Sequence, residues 1–206
     1  FGYDNVTYRP VFAGDIRPQH GTIYEWGGSL KLGDWSGKLS FSRLDLNDEI
    51  GFNTSTYANT NFDPTRRDSA NLEIEWQTTS QWSNRLSYNY LDATFRSGPN
   101  TGKTLPLAPR DQLNWQSTLK AGIWGTYSVS TRYVGQRRLD GDFANTQNKL
   151  GDYVTADLQA SWTVQKLTLT AKVLNILDKR YAAYAGPGYY YPADGRAAYV
   201  SARYDF

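Results

Sequence analysis

Side-chain polarity alternates with a period of two along almost the whole chain, and that beat limits the fold more than any other feature. In residues 153–173, YVTADLQASWTVQKLTLTAKV, the apolar set Val154, Ala156, Leu158, Ala160 and Trp162 alternates with Tyr153, Thr155, Asp157, Gln159 and Ser161. After a break at Thr163–Lys166 the rhythm resumes as Leu167, Leu169, Ala171 and Val173 against Thr168, Thr170 and Lys172. It recurs around Trp26 and Leu30, Leu39 and Phe41, Leu72 and Ile74, Leu86 and Tyr88, Leu113 and Trp115, Tyr127 and Val129, and Val200 and Tyr204. Alternation sustained this long argues for antiparallel strands, each with one apolar and one polar face. The sequence predicts an all-β chain of about nine strands, at 23–32, 37–49, 69–79, 84–96, 110–121, 124–135, 152–163, 166–176 and 196–206.

The connections alternate in length. Gly33–Ser36, Thr79–Ser83, Gly122–Ile123 and Thr163–Gln165 are short, whereas 50–68, 96–109, 135–151 and 178–195 are long. In an up-and-down meander every second connection lies at the same end, so tight turns gather at one end and long loops at the other. That asymmetry, with strands long enough to cross a bilayer when tilted, points to a transmembrane β-barrel. Trp35, Trp82, Trp124 and Trp162 lie in or beside the short turns, and Tyr204 and Phe206 end the last strand at the same level. Such aromatics would form one interfacial belt, because indole and phenol rings combine an apolar body with a polar tip. The same aromatics beside turns could instead cover a sandwich core.

Composition agrees where it bears on the question. Among 206 residues there is no cysteine, so disulfides and thiolate metal sites are excluded. A net charge of +2 does not suggest a nucleic-acid surface. No apolar run is long enough for a membrane-spanning helix, and a polar average is what a barrel with a wet lumen gives. The wet face would carry Glu25, Lys31, Lys38, Glu73, Glu75, Arg85, Lys120, Arg132, Asp157, Lys172, Arg203 and Asp205. One place breaks the parity: after Leu39 and Phe41, Arg43 would face lipid while Leu44 and Leu46 turn inward. A β-bulge near Ser42–Arg43, or an Arg43 that snorkels to the outer interface, would reconcile the pattern. Nine is also an odd count, and single-chain bacterial barrels use an even number. Residues 1–14 could supply a tenth strand, although Pro10 interrupts them.

Several motifs, taken in order, resemble the C-terminal part of a TonB-dependent outer-membrane receptor. Residues 16–27, IRPQHGTIYEWG, are similar to the family's strand start L-K-P-E-x-S-x-x-Y-E-x-G, with Gln19 where glutamate is usual. Residues 44–50, LDLNDEI, resemble the acidic outer end of the next strand, and residues 86–93, LSYNYLDA, the motif sYtYldA. Residues 105–110, LPLAPR, and 133–137, YVGQR, follow the same order, and residues 174–181, LNILDKRY, resemble the N-L-F-D-K-x-Y signature before the final loop. The terminal strand ends in Phe206, like the sorting signal read by the outer-membrane assembly machinery.

The resemblance spans 16–206 and implies a 22-stranded barrel of which these would be the last nine strands, with residues 1–15 as an upstream loop or strand remnant. It implies an N-terminal plug and a TonB box outside these residues, and coupling to the TonB–ExbB–ExbD complex. The implied function is active uptake of a scarce nutrient chelate, ferric siderophores first, then haem or cobalamin, across the bacterial outer membrane. The long loops supply the candidate ligand contacts: Arg137, Arg138 and Phe143 in one, and Tyr184, Tyr189, Tyr190 and Tyr191 in another. Guanidinium matches anionic oxygens, and tyrosine offers rigid amphipathic area. The same tyrosines would also serve as an outer girdle or as loop packing.

Two other readings are a self-contained ten-strand porin or adhesin and an outer-membrane hydrolase. The second has little to work with: the only histidine is His20, no nucleophile motif such as G-x-S-x-G accompanies it, and no catalytic residue is assigned. No cofactor is implied. Asp45, Asn47, Asp48 and Glu49 lack the glycine and spacing of a calcium loop, so no metal ligands are assigned either.

Overall fold

The alternating segments pair edge to edge in the order in which they occur. The computed structural model describes residues 16–53 and 58–206, together with the backbone of Gly2–Tyr3 and Pro10–Val11. Nine strands form one sheet among the described residues: β1 (His20–Leu32), β2 (Trp35–Asn47), β3 (Thr65–Thr79), β4 (Trp82–Phe95), β5 (Asp111–Lys120), β6 (Thr126–Val134), β7 (Tyr153–Val164), β8 (Leu167–Leu174) and β9 (Ala197–Tyr204). Each is antiparallel to the next, and the sheet stays open with β1 and β9 as its edges. Gly2–Tyr3 pairs with Pro10–Val11 rather than with β9. The rest of the expected remnant at 1–15 lies outside the described residues.

Regular register carries one face intact across the sheet. Trp26 is opposite Phe41, Phe41 opposite Ala70 and Ala70 opposite Tyr90, and in another row of the same face Val129 is opposite Leu158, Leu158 opposite Val173 and Val173 opposite Ala198. Among the described residues nothing covers this face: Trp26 is 70% exposed, Phe41 43% and Val200 82%. An apolar surface of that extent needs a non-aqueous neighbour. At the short-turn end of the same face Trp35 stacks on Trp76 with centroids 5.4 Å apart. Nearby the Trp162 indole donates to the Tyr127 hydroxyl at 3.3 Å, and that hydroxyl donates to the Trp124 carbonyl at 2.7 Å. Gly125 closes this turn at φ 98°, where a Cβ would meet the Ser161 carbonyl at 2.5 Å.

The parity break at Arg43 is not a bulge. Pairing of β2 runs without a shift on both sides, with Arg43 opposite Tyr24 and Asp68. The one shift in the sheet falls at Gln77/Thr79, beside a short turn. Arg43 stays on the apolar parity and forms a two-pronged ion pair with Asp68, at 2.6 and 3.0 Å. Two steps further out, Asp45 accepts from Arg66 at 2.8 and 3.1 Å on the same face. On the opposite face the change runs the other way. Leu44 and Leu46 are half-buried, and Leu91, Ala93 and Phe95 join Leu105, Phe62, Ala108 and Phe143 in a buried cluster. The two faces thus exchange polarity towards the long-loop end. Arg43 is eight residues beyond Trp35, about 26 Å of strand and about 20 Å of height at a barrel's usual tilt. That distance is close to the height of an apolar membrane band, so the strand simply runs past it into water.

The boundary has a measurable consequence. Leu39→Arg, midway along the apolar stretch, should cost about 2–4 kcal/mol in the bilayer-folded state, and Arg43→Leu less than about 1 kcal/mol. Denaturant unfolding of the full-length protein in lipid vesicles checks both. Equal costs would place the boundary elsewhere.

Candidate loop-face binding site

At the long-loop end the connections fold over the strand ends and bind one another. The Leu107 amide donates to the Arg138 carbonyl at 3.1 Å, and the Asp140 amide to the Ala185 carbonyl at 2.8 Å. Asn145, held at φ 57°, donates to the Thr104 carbonyl and accepts from the Thr104 amide, at 2.9 and 2.8 Å. This is a two-bond mimic of a strand pair made by one side chain. Two of the long connections contain hairpins, Ile50–Asn53 with Ala58–Asn61 and Ala182–Gly186 with Tyr189–Pro192.

The candidate ligand residues separate into two groups. Arg137 is only 7% exposed. It donates to the carbonyls of Ala182 and Ala183 at 2.7 and 3.3 Å and lies over the Tyr153 ring at 5.6 Å. Arg138 donates to the Gln147 carbonyl at 2.9 Å and lies 3.6 Å from the Asp142 carboxylate. Phe143 wedges between Phe62 and Phe95, with centroids 5.2 and 6.0 Å away. These three tie the loops together. The tyrosines stand outside that core. Tyr184, Tyr189 and Tyr191 bring their rings within 6.0 Å of one another, and Tyr190 points outward at 65% exposure.

Asp140, which sequence reading passed over as a ligand residue, is the centre of this patch. The Tyr184 hydroxyl donates to its carboxylate, and the Tyr189 hydroxyl lies 3.5 Å from the same oxygen and 3.4 Å from the Tyr184 hydroxyl. Donation to Asp140, and then contact with Tyr189, holds the Tyr184 phenol above its ordinary value. Tyr181, stacked on Tyr153 at 3.8 Å, is raised as well, by burial first and then by Tyr153. Among the described residues no three histidine, cysteine or acidic side chains gather into a metal site.

Below the patch, Asn175 anchors the last long loop. It sits at φ 47° and is 6% exposed. Its amide donates to the Lys179 and Asp194 carbonyls at 3.0 and 3.3 Å, and its oxygen accepts from the Lys179 amide at 3.0 Å. Its own backbone amide donates to Asp157 at 2.8 Å. Asp178, three residues on, accepts from the Arg196 amide at 3.1 Å. A broad, open pocket on the polar face, lined by Arg85, Arg132, Asp157, Tyr181, Arg196 and Tyr199 among others, has a volume of about 1000 Å³.

Two outcomes follow from these contacts. Asn175→Ala removes a buried side chain and its three bonds to the Lys179 backbone and the Asp194 carbonyl, so it should cost about 1–3 kcal/mol locally, read as faster amide exchange across 176–196. For Tyr184 the raised value favours the neutral phenol in the folded state. Its contribution is therefore complete below pH about 10, the value of an unfolded tyrosine, and fades as pH rises above that. Amide exchange in 182–192 should accelerate above pH about 10, and Tyr184→Phe should remove that component.

Comparison with known proteins bears on what these loops belong to. The family described as TonB dependent receptor-like, beta-barrel, matches residues 1–176. Among solved structures the chain is similar to the ferric-catecholate import receptor Fiu from Escherichia coli K12, with 22% identity and a TM-score of 0.75 over 100% of this chain and 30% of that one. It is similar to the ferric yersiniabactin uptake receptor FyuA from Yersinia pestis, with 21% identity and a TM-score of 0.77 over 91% of this chain and 30% of that one. It is also similar to the copper transporter OprC, with 20% identity and a TM-score of 0.75 over 94% of this chain and 33% of that one. The chain thus spans about a third of the length of these proteins. No curated protein matches it in sequence. The chain belongs to the TonB-dependent receptor-like β-barrel family.

Proposed function

We propose that the protein to which this chain belongs takes up a metal chelate across the bacterial outer membrane, a ferric siderophore ahead of haem or cobalamin. The family match over 1–176 carries the reading. In it the apolar face meets lipid, with Trp35, Trp82, Trp124, Trp162, Tyr204 and Phe206 as the belt at the short-turn end. The uncovered apolar face and the polarity exchange at Arg43 and Asp68 support that orientation. The polar face, with Arg85, Arg132 and Asp157, lines the lumen against a plug domain, and barrel strands beyond these nine close the cylinder. The TonB–ExbB–ExbD complex supplies energy for import.

Ligand capture falls to the loop face. Tyr184, Tyr189, Tyr190 and Tyr191 offer the contact area, since they project beyond the loop core. Arg137, Arg138 and Phe143 contribute by fixing the loops that hold them. Structures of this shape include a ferric-catecholate import receptor and a copper transporter, so the fold leaves the cargo to the loop side chains. No catalysis is assigned to the chain: the family is one of receptors, and His20 is exposed, 3.5 Å from the Pro18 carbonyl and 3.9 Å from the Asp48 carboxylate.

The test is uptake of radioactive iron by iron-starved cells that lack the gene and carry the full-length protein on a plasmid. Accumulation from at least one ferric siderophore should require both the protein and an intact TonB. Accumulation that ignores TonB, or that is the same with and without the protein for every chelate offered, sinks the reading.

A further inference from the structure

Three oxygen atoms converge at the tip of the loop face: the Tyr184 hydroxyl, the Tyr189 hydroxyl and one carboxylate oxygen of Asp140. They come from two separate elements, the 135–152 loop and the hairpin of Ala182–Gly186 with Tyr189–Pro192. The elements are held in register by the bond from the Asp140 amide to the fully buried Ala185 carbonyl. Gly186 matters to the arrangement, because a Cβ there would collide with the Tyr189 hydroxyl that folds back over the hairpin. The patch is open to solvent on its outer side, where Tyr189 is 36% exposed and Tyr191 61%.

We propose that Asp140, Tyr184 and Tyr189 form a protein-side coordination site for ferric iron. The proposal rests on the uptake reading and goes further, since it has the receptor ligate the metal itself and not only the surface of its chelate. The chemistry of the donor set carries it. A carboxylate and two phenols that give up their protons to the ion become hard, anionic oxygen ligands, and a hard trivalent cation prefers such donors over nitrogen or sulfur. Tyrosinate is an established ligand of ferric iron in proteins. Three anionic oxygens also balance the charge of the ion.

The geometry is close to what is needed. Neighbouring ligands of an octahedral ion with bonds near 2.0–2.1 Å lie about 2.9 Å apart; the contacts of Tyr189 with Tyr184 and Asp140, at 3.4 and 3.5 Å, need to close by about half an ångström, and the Tyr184–Asp140 contact opens to the same separation. On binding, each phenol releases its proton to solvent as the oxygen–iron bond forms, and no electron is transferred. Three donors fill one face of the octahedron. The remaining positions stay with the incoming chelate, so the class of ligand is a ferric complex of low denticity, one that can give up positions to the protein.

The experiment adds iron as ferric nitrilotriacetate to the full-length receptor in detergent and records the visible spectrum. A tyrosinate-to-iron charge-transfer band should appear, diminish in Tyr184→Phe and in Tyr189→Phe, and vanish in the double variant. Asp140→Asn should weaken binding about tenfold or more. Phenylalanine keeps the ring packing, and an unchanged amide-exchange pattern in 182–192 separates loss of a ligand from loss of the hairpin. No band in the wild type, or a band that survives in the double variant, overturns the proposal. A receptor that imports its chelate but shows no band overturns this site alone. One that shows the band but imports no iron chelate overturns the uptake reading instead.

Discussion

The ion pair between Arg43 and Asp68 marks the height at which the sheet changes surroundings, and the rest of the structure is arranged about that height. Below it, the outward row of Leu39, Phe41, Leu72 and Leu86 has no second layer packed over it among the described residues, while the inward row is polar. Above it, the outward row is Arg43, Asp45, Arg66 and Asp68, paired among themselves, and the inward row turns apolar. A charged pair on the outward face is cheap only where water or headgroups reach it. An apolar inward residue is useful only where something folds onto it. Both changes occur within a few residues on three adjacent strands, so one environmental boundary explains them where a defect in pairing would have to be repeated.

The loops exploit the apolar inner rim. Phe95 and Ala93 give Phe143 and Leu105 a surface to bury against, and that anchors two long loops at once. Side chains that imitate backbone finish the work. Asn145 pairs with Thr104 as a strand would, Asn175 closes the turn to Lys179, and the Asp142 carboxylate accepts from the Thr146 amide at 2.8 Å. Each replaces a water that an irregular loop would otherwise need for its amides and carbonyls. The cap is therefore a small core built between the loops and the inner rim of the sheet.

The sheet was legible in the sequence because its signal is periodic and long. All nine strands, the short and long connections and the antiparallel order follow from counting every second residue. The boundaries slipped where the environment changed. The third strand starts at Thr65, not 69, because Arg66 and Asp68 continue the ladder as ion pairs, which an apolar count does not register. The same blindness turned Arg43 into an expected bulge. At the loop face, residue type pointed to tyrosines and arginines but could not show which ones face inward. Arg137 is consumed by the Ala182 and Ala183 carbonyls forty-five residues away, a contact with no local trace. Asp140 and Asn145 matter through partners equally remote in sequence. Only Asn175 left a readable mark, as the first polar residue of the LNILDKRY motif.

The separation of anchors from tips has a physical logic for a binding surface. If ligand contacts and loop anchors were the same side chains, any change in ligand would unpin the loop, and the entropy of reordering it would weaken binding. Here the guanidinium of Arg137 is buried and the ring of Phe143 half-buried in loop-to-loop contacts, whereas Tyr190 and Tyr191 hang from a hairpin whose backbone is fixed by Ala185. The tip residues can therefore vary in size, charge or metal affinity at little cost to the cap. The exception is the Asp140–Tyr184 contact, which both joins two loops and faces outward. A group that binds there must compete with a contact that already holds the loops together, so occupancy of that point and the fit between the two loops are bound to change together.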